Sequence, residues 1–136
     1  MKRILLLLAV VLALCLAGCG ARADVTIDYG ESALYTREDM DAAIAVIRAE
    51  FDTWEGCELR SVRYASDECA TEENLGWMNE LEPGAGYTQC IEFLSDFHSP
   101  KNGGGAWNAD SEYTDWQWWL ARTESGAWEL LTWGYG

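Results

Sequence analysis

His98 is the only histidine in the chain, and Asp96 stands two residues before it. In an extended segment residues two apart share a face. A carboxylate beside an imidazole can act as a general base. No nucleophile motif accompanies the pair, however, and polar residues are ordinary at a strand end such as "SDFHSP". Asn108, Asp110 and Glu112 alternate as some calcium-loop ligands do, but the glycine and the distant glutamate of such a loop are missing. No two cysteines stand in the C-x-x-C spacing of zinc or dithiol redox sites. The residues therefore give no catalytic assignment, no metal and no cofactor.

Aromatic residues carry a stronger signal. Five of the eight tryptophans fall within residues 115–136, "DWQWWLARTESGAWELLTWGYG". A flat array of such rings can stack on sugars or grip a peptide, and a large exposed apolar patch marks an interaction site. The same rings can instead fill a core. The distinction depends on the elements that hold them.

Those elements begin after an export signal. Lys2 and Arg3 precede an apolar run, Ile4–Gly18, that is shorter than the ~20 residues of a membrane-spanning helix. "LAGC" at Leu16–Cys19 resembles the lipobox of bacterial lipoproteins. That resemblance implies cleavage before Cys19, a diacylglyceryl group on its thiol, and a position on the outer face of the cell membrane. An ordinary signal peptide cut near Ala21 or Ala23 is the alternative, and Cys15 lacks the small residue before it. The expected organisation is a signal peptide over 1–18, a lipidated tether over 19–35 and one domain over 36–136. A flexible tether of ~15 residues would span about 22 Å, with a short extended piece at Val25–Tyr29.

After cleavage seven basic residues face 23 acidic ones, a formal charge of −16. Nucleic-acid phosphates would repel such a surface. Anionic headgroups would repel it as well, so the membrane is met through the anchor alone. Cationic partners would be attracted; solubility alone is the plainer account of the charge.

"YTREDMDAAIAVIRAEFDTWEGC" predicts an amphipathic helix of about five turns. Thr36 suits its N-cap, and Met40, Ile44, Ile47, Phe51 and Trp54 share one face. "CELRSVRYA" predicts a strand with a bulge near Arg60–Ser61, because Leu59, Val62 and Tyr64 break parity. A short helix follows, with Leu75, Trp77, Met78 and Leu81 as its apolar residues, ended by Pro83, Gly84 and Gly86. "YTQCIEFLSDF" alternates as a strand, with Tyr87, Gln89, Ile91, Phe93, Ser95 and Phe97 on one face. A long irregular loop over 98–114 is of a length that is often functional.

The last stretch reads as a hairpin turning at Glu124–Ser125–Gly126, with glycine left-handed. Thr123 then faces Ala127, and Trp119 faces Leu131. One face collects Trp116, Trp118, Leu120, Trp128 and Leu130 and is assigned to the core. The other collects Trp119, Leu131, Trp133 and Tyr135. Trp119, Trp133 and Tyr135 are the candidate ligand-binding residues; coverage by the short helix would make them core instead.

The fold class is α+β: one long helix on a curved antiparallel sheet ending in the aromatic hairpin, with a second short helix. The order of elements resembles the cystatin-like and nuclear-transport-factor-2-like architectures. "YTREDMDAAIAVIRAEF", "LSDFHS" and "YTDWQWWLARTESGAWELLTWGYG" resemble a family of short lipoproteins from Gram-positive bacteria, which implies localisation and fold but no catalytic residue. Strand order also bears on the thiols. Cys69 reaches Cys90 more easily than Cys57 does, so Cys69–Cys90 is the preferred disulfide, with reduced cysteines as the alternative. The leading expectation is a non-enzymatic domain that binds a small ligand, peptide or envelope component. A pocket enzyme of the ketosteroid-isomerase or polyketide-cyclase kind, with Asp96 or Asp115 as base, is the rival. A subunit of a surface complex is a third reading.

Overall fold

A computed structural model describes residues 24–135; the lipobox and Cys19 lie outside them. Two helices and a five-stranded open sheet make an α+β fold. The strands are β1 (Thr26–Asp28), β2 (Glu58–Tyr64), β3 (Gln89–His98), β4 (Glu112–Arg122) and β5 (Glu129–Gly134), in that spatial order. Helices α1 (Arg37–Phe51) and α2 (Glu72–Leu81) follow β1 and β2. Neighbouring strands are antiparallel except β1 and β2, which run parallel. A parallel pair needs a crossover, and α1 supplies it. Part of the expected tether is thus the edge strand of the sheet.

Helix α1 forms where the spacing predicts. Thr36 caps it: its hydroxyl accepts from Asp39 N at 3.1 Å, and the Asp39 carboxylate accepts from Thr36 N at 2.9 Å. Met40, Ala43, Ile44, Ile47 and Phe51 are buried along one stripe. The helix ends at Phe51, about a turn earlier than expected. Gly56 then turns the chain with φ of 78°, and a Cβ there would stand 2.9 Å from Pro100 Cγ.

The sheet face beneath α1 carries Val62, Ile91, Phe93, Phe97, Trp118 and Leu120, all fully buried. Ser95 lies among them, and its hydroxyl accepts from Trp118 Nε1 at 3.0 Å, so neither polar group is orphaned. Helix α2 lies over one end of the opposite face, where Trp77 meets Trp119 edge-on and Met78 is fully buried. The anticipated β2 bulge occurs between Leu59 and Ser61.

The N-terminal end of α1 is fastened to the hairpin. Arg122 donates to Asp39 Oδ1 at 3.1 Å while its guanidinium lies 4.1 Å over the Trp128 ring. Trp128 Nε1 donates to Asp39 O at 3.0 Å. The Thr36 backbone N–H and the Arg122 guanidinium together hold the Asp39 carboxyl below its usual range.

Removing this cap should be measurable. Thr36→Ala is expected to cost about 1 kcal/mol in urea unfolding. Asp39→Asn should destabilise at neutral pH. That deficit should shrink as pH falls through the depressed Asp39 pKa, because the wild-type carboxylate then loses its charge too. A deficit independent of pH would contradict this role.

Candidate aromatic binding surface

The hairpin pairs differently from the expectation, and the difference redistributes the aromatic residues. Ala121 faces Glu129 and Leu120 faces Leu130, but Trp119 faces Thr132 and Trp118 faces Trp133. Leu131 is the extra residue between these registers. Because side chains alternate, one extra residue moves everything beyond it to the other face. Trp133 and Tyr135 therefore join Trp116 and Trp118 on the α1 side, and Trp119 is left alone opposite. The turn also differs: Gly126 lacks the expected left-handed φ, and its N–H bonds Thr123 O at 3.2 Å.

A second irregularity acts on β4. Ser95 faces Trp116 while Phe97 faces Tyr113, so β4 carries an extra residue there. Asp115 takes a φ of 56° within it. Tyr113 is thereby brought beside Trp116 and Phe97, on whose ring it stacks at 4.9 Å and 5°.

Trp54, just beyond α1, is the centre of this end of the molecule. Its ring stacks on Trp118 at 5.1 Å and 23°, and it also meets Trp107, Phe97, Trp116 and Trp133. Trp107 arrives from the loop over 99–111, which is held by hydrogen bonds. Buried Ser99 donates from Oγ to Asn108 O at 2.5 Å and accepts from Ser111 N at 2.9 Å. Tyr113 Oη accepts from Asn108 N at 2.9 Å.

The rim of the cluster is open. Trp133 is 42% exposed and Tyr135 61% exposed, while Trp54, Trp107 and Tyr113 are partly buried behind them. Beneath the rim, Trp116 Nε1 is buried without a hydrogen-bond partner among the described residues. The Phe97 and Tyr113 rings stand perpendicular to Trp116, and Tyr135 lies 5.2 Å from it. Trp54 also lines an open cleft of about 540 Å³ with Val25, Phe51, Cys57 and Leu59, bordered by Arg48 and Glu58.

The other sequence-based candidates fall elsewhere. Trp119 is only 7% exposed: Trp77 of α2 packs against it, and its Nε1 donates to Gln117 Oε1 at 2.9 Å. It is core, as the alternative reading of the hairpin allowed. Cys69 and Cys90 do come together, with Cys90 Sγ donating to Cys69 O at 3.5 Å, yet both thiols are free in place of the preferred bridge. Burial, and next the neighbouring Cys69, push the Cys90 thiol up to about 11. Asp96 and His98 share a face without meeting. Asp96 pairs with Arg63 at 3.6 Å and accepts from Asp115 N at 3.1 Å. Asp115 is largely exposed and also pairs with Arg63. His98 is gripped by Asp110 at Nε2 and Glu112 at Nδ1, each at 2.7 Å. Two of the three alternating residues thus clasp the histidine. No group of three or more metal-ligating side chains assembles among the described residues.

Sequence reasoning gave Trp54 to the helix stripe and left Trp107 unassigned. The available signal was the two-residue spacing of Trp133 and Tyr135, which repeats that of Trp116 and Trp118. No protein-family model, curated protein or solved structure matches the chain.

The His98 clasp ties the loop that carries Trp107 to the sheet, and its pH dependence has a definite sign. The Asp110 and Glu112 hydrogen bonds raise the His98 pKa in the folded state. Its stabilisation is complete below the unfolded value of about 6.5 and fades as pH rises through the higher folded one. Wild type should therefore lose its stability advantage over His98→Gln as pH rises through that range, read by urea unfolding. Glu112, whose pKa is lowered chiefly by Arg60, adds a separate loss in acid. An advantage that grows with rising pH across the His98 titration would contradict the clasp.

Proposed function

We propose that this is a lipid-anchored, non-enzymatic domain on the outer face of a bacterial membrane, which binds an envelope component on the aromatic end described above. The observation that carries the proposal is the continuity of two exposed, partly covered rings, Trp133 and Tyr135, with Trp54 and Trp107 through Trp116 beside an open cleft. Large aromatic surface is costly to leave in water, and a contiguous exposed patch marks interaction. Flat rings of this kind stack on the C–H faces of sugars and on apolar peptide side chains. The unpartnered Trp116 N–H beneath Tyr135 offers a donor to a ligand oxygen that displaces that ring.

The anchor supports an envelope ligand. With Cys19 lipidated, the sheet begins only seven residues later, at Thr26. A chain of that length spans at most ~25 Å, so the domain works close to the membrane. Val25 lines the cleft beside Trp54, which supports an aromatic end close to the proposed anchor. No helix among the described residues is long and apolar enough to cross a membrane. A pocket enzyme finds less support, because Asp96 and Asp115 are exposed or half-exposed and ion-paired with Arg63.

The test compares three variants. Trp133→Ala combined with Tyr135→Ala should abolish binding to soluble cell-wall glycan or stem-peptide fragments in calorimetry. It also removes ring contacts to Trp54, Trp118, Tyr113 and Trp116 and lowers the melting temperature, but the variant should still unfold in one cooperative transition above the temperature of the titration. Trp119→Ala should destabilise by about 3 kcal/mol. Unchanged binding in the double variant would refute the site. For the anchor, Cys19→Ser should abolish incorporation of labelled palmitate and release the chain from the membrane fraction. Retained label would place the anchor elsewhere.

A further inference from the structure

The sheet face opposite α1 carries a second feature, independent of the aromatic end. Glu92 stands directly across from Trp119 in the β3–β4 register, and both project to this face. Cross-strand partners of this kind hold their Cβ atoms about 5 Å apart. Trp77, from α2, meets Trp119 with ring centroids 5.3 Å apart and planes at 71°. The two indoles thus form a corner beside a carboxylate. Trp77 keeps 38% of its surface exposed while Trp119 beneath it keeps 7%, so the indole surface a solute can reach is that of Trp77.

Glu92 differs from its charged neighbours on this face. Asp96 and Asp115 are neutralised by Arg63, and Glu112 by Arg60 and His98. The Glu92 carboxylate has neither ion pair nor hydrogen bond among the described residues, although it is half-buried. Burial accordingly raises its pKa, whereas the other shifted carboxylates, Asp39, Asp67 and Glu112, are all lowered. A half-buried carboxylate without a partner is costly unless a cation reaches it.

We infer that Glu92 and the exposed Trp77, with buried Trp119 packed beside them as support, form a site for a small organic cation of the quaternary or alkylated ammonium type. The carboxylate supplies opposite charge, and the exposed Trp77 indole supplies the quadrupole attraction that favours weakly hydrated cations. A hard metal ion fits poorly. It requires several oxygen ligands, and this corner offers one carboxylate, with no metal-ligating group of three among the described residues. The strongly negative chain, at a formal −14 including the signal segment, raises the local concentration of any cation.

The experiment titrates tetramethylammonium chloride into the full-length protein in non-ionic micelles, with sodium chloride at matched ionic strength as control. Indole N–H resonances of Trp77 and Trp119 are followed by NMR. Saturable shifts of these two resonances, absent with sodium, are expected. Glu92→Gln should weaken the affinity at least tenfold. Trp77→Leu, which keeps apolar cover over Trp119 but removes the ring, should weaken it similarly with little change in melting temperature. Absence of saturation below ~0.15 M, or equal affinity in Glu92→Gln, would overturn the site. Trp133→Ala should leave this binding intact, which separates its failure from that of the glycan or peptide site.

Discussion

Trp54 lies flat on Trp118, and this contact joins the end of the helix to the middle of the sheet. The helix is fastened at its other end by Asp39, Arg122 and Trp128, through a cap, an ion pair and a cation–π contact. Between these two points its apolar stripe covers the sheet. The Trp54 end is the more consequential, because everything added there packs on the same ring. Trp107 comes from the loop, Trp133 from the last strand, and Phe97 and Trp116 from the strands between. Pairs of such rings contribute roughly 0.5–1.5 kcal/mol each beyond the area they bury. The rings at the centre are core, and those at the rim are the same cluster meeting solvent.

Two extra residues make that cluster possible. Strict alternation along β4 would send Tyr113 to the face opposite Trp116, and strict alternation along β5 would send Trp133 away from Trp118. The bulges at Asp115 and Leu131 each reset the parity. Bulges cost a ladder position and re-aim the side chains beyond them. Here they gather onto one face aromatic residues that regular pairing would divide between two. The opposite face is consequently sparse in apolar groups. It carries Trp119 under α2, then the unpaired Glu92, then the ion pairs of Arg63 and Arg60.

The same facts explain what could be read from the sequence. Helix α1 was legible because five apolar residues repeat at helical spacing and Thr36 is a good cap. Strand β3 was legible from clean alternation, and the β2 bulge because Leu59, Val62 and Tyr64 break it. Trp116, Trp118 and Trp128 were assigned to the core, where they lie. The parity of Trp133 and Tyr135 was misread because Leu130 and Leu131 are both apolar, so either can face inward. Only the backbone register shows which one is extra. Trp107 had no periodic context in its loop; the extended piece expected at Val25–Tyr29 does contain β1, but nothing in the residues declares its parallel pairing with β2. Glu92 is one acid among many in a chain rich in them. Its isolation emerges only once Arg60 and Arg63 are seen to be occupied by other carboxylates.

The central claim is that the aromatic end is one surface, with a core that stays fixed and a rim that meets ligand. It is tested most directly by following all eight indole N–H resonances while soluble cell-wall glycan fragments are added. The account predicts shifts at Trp133, Trp107 and Trp54, and a downfield move of Trp116 as its N–H gains an acceptor, with Trp118 and Trp128 unmoved. Shifts confined to Trp77 and Trp119, or none at any tryptophan with either glycan or stem-peptide fragments, would contradict it.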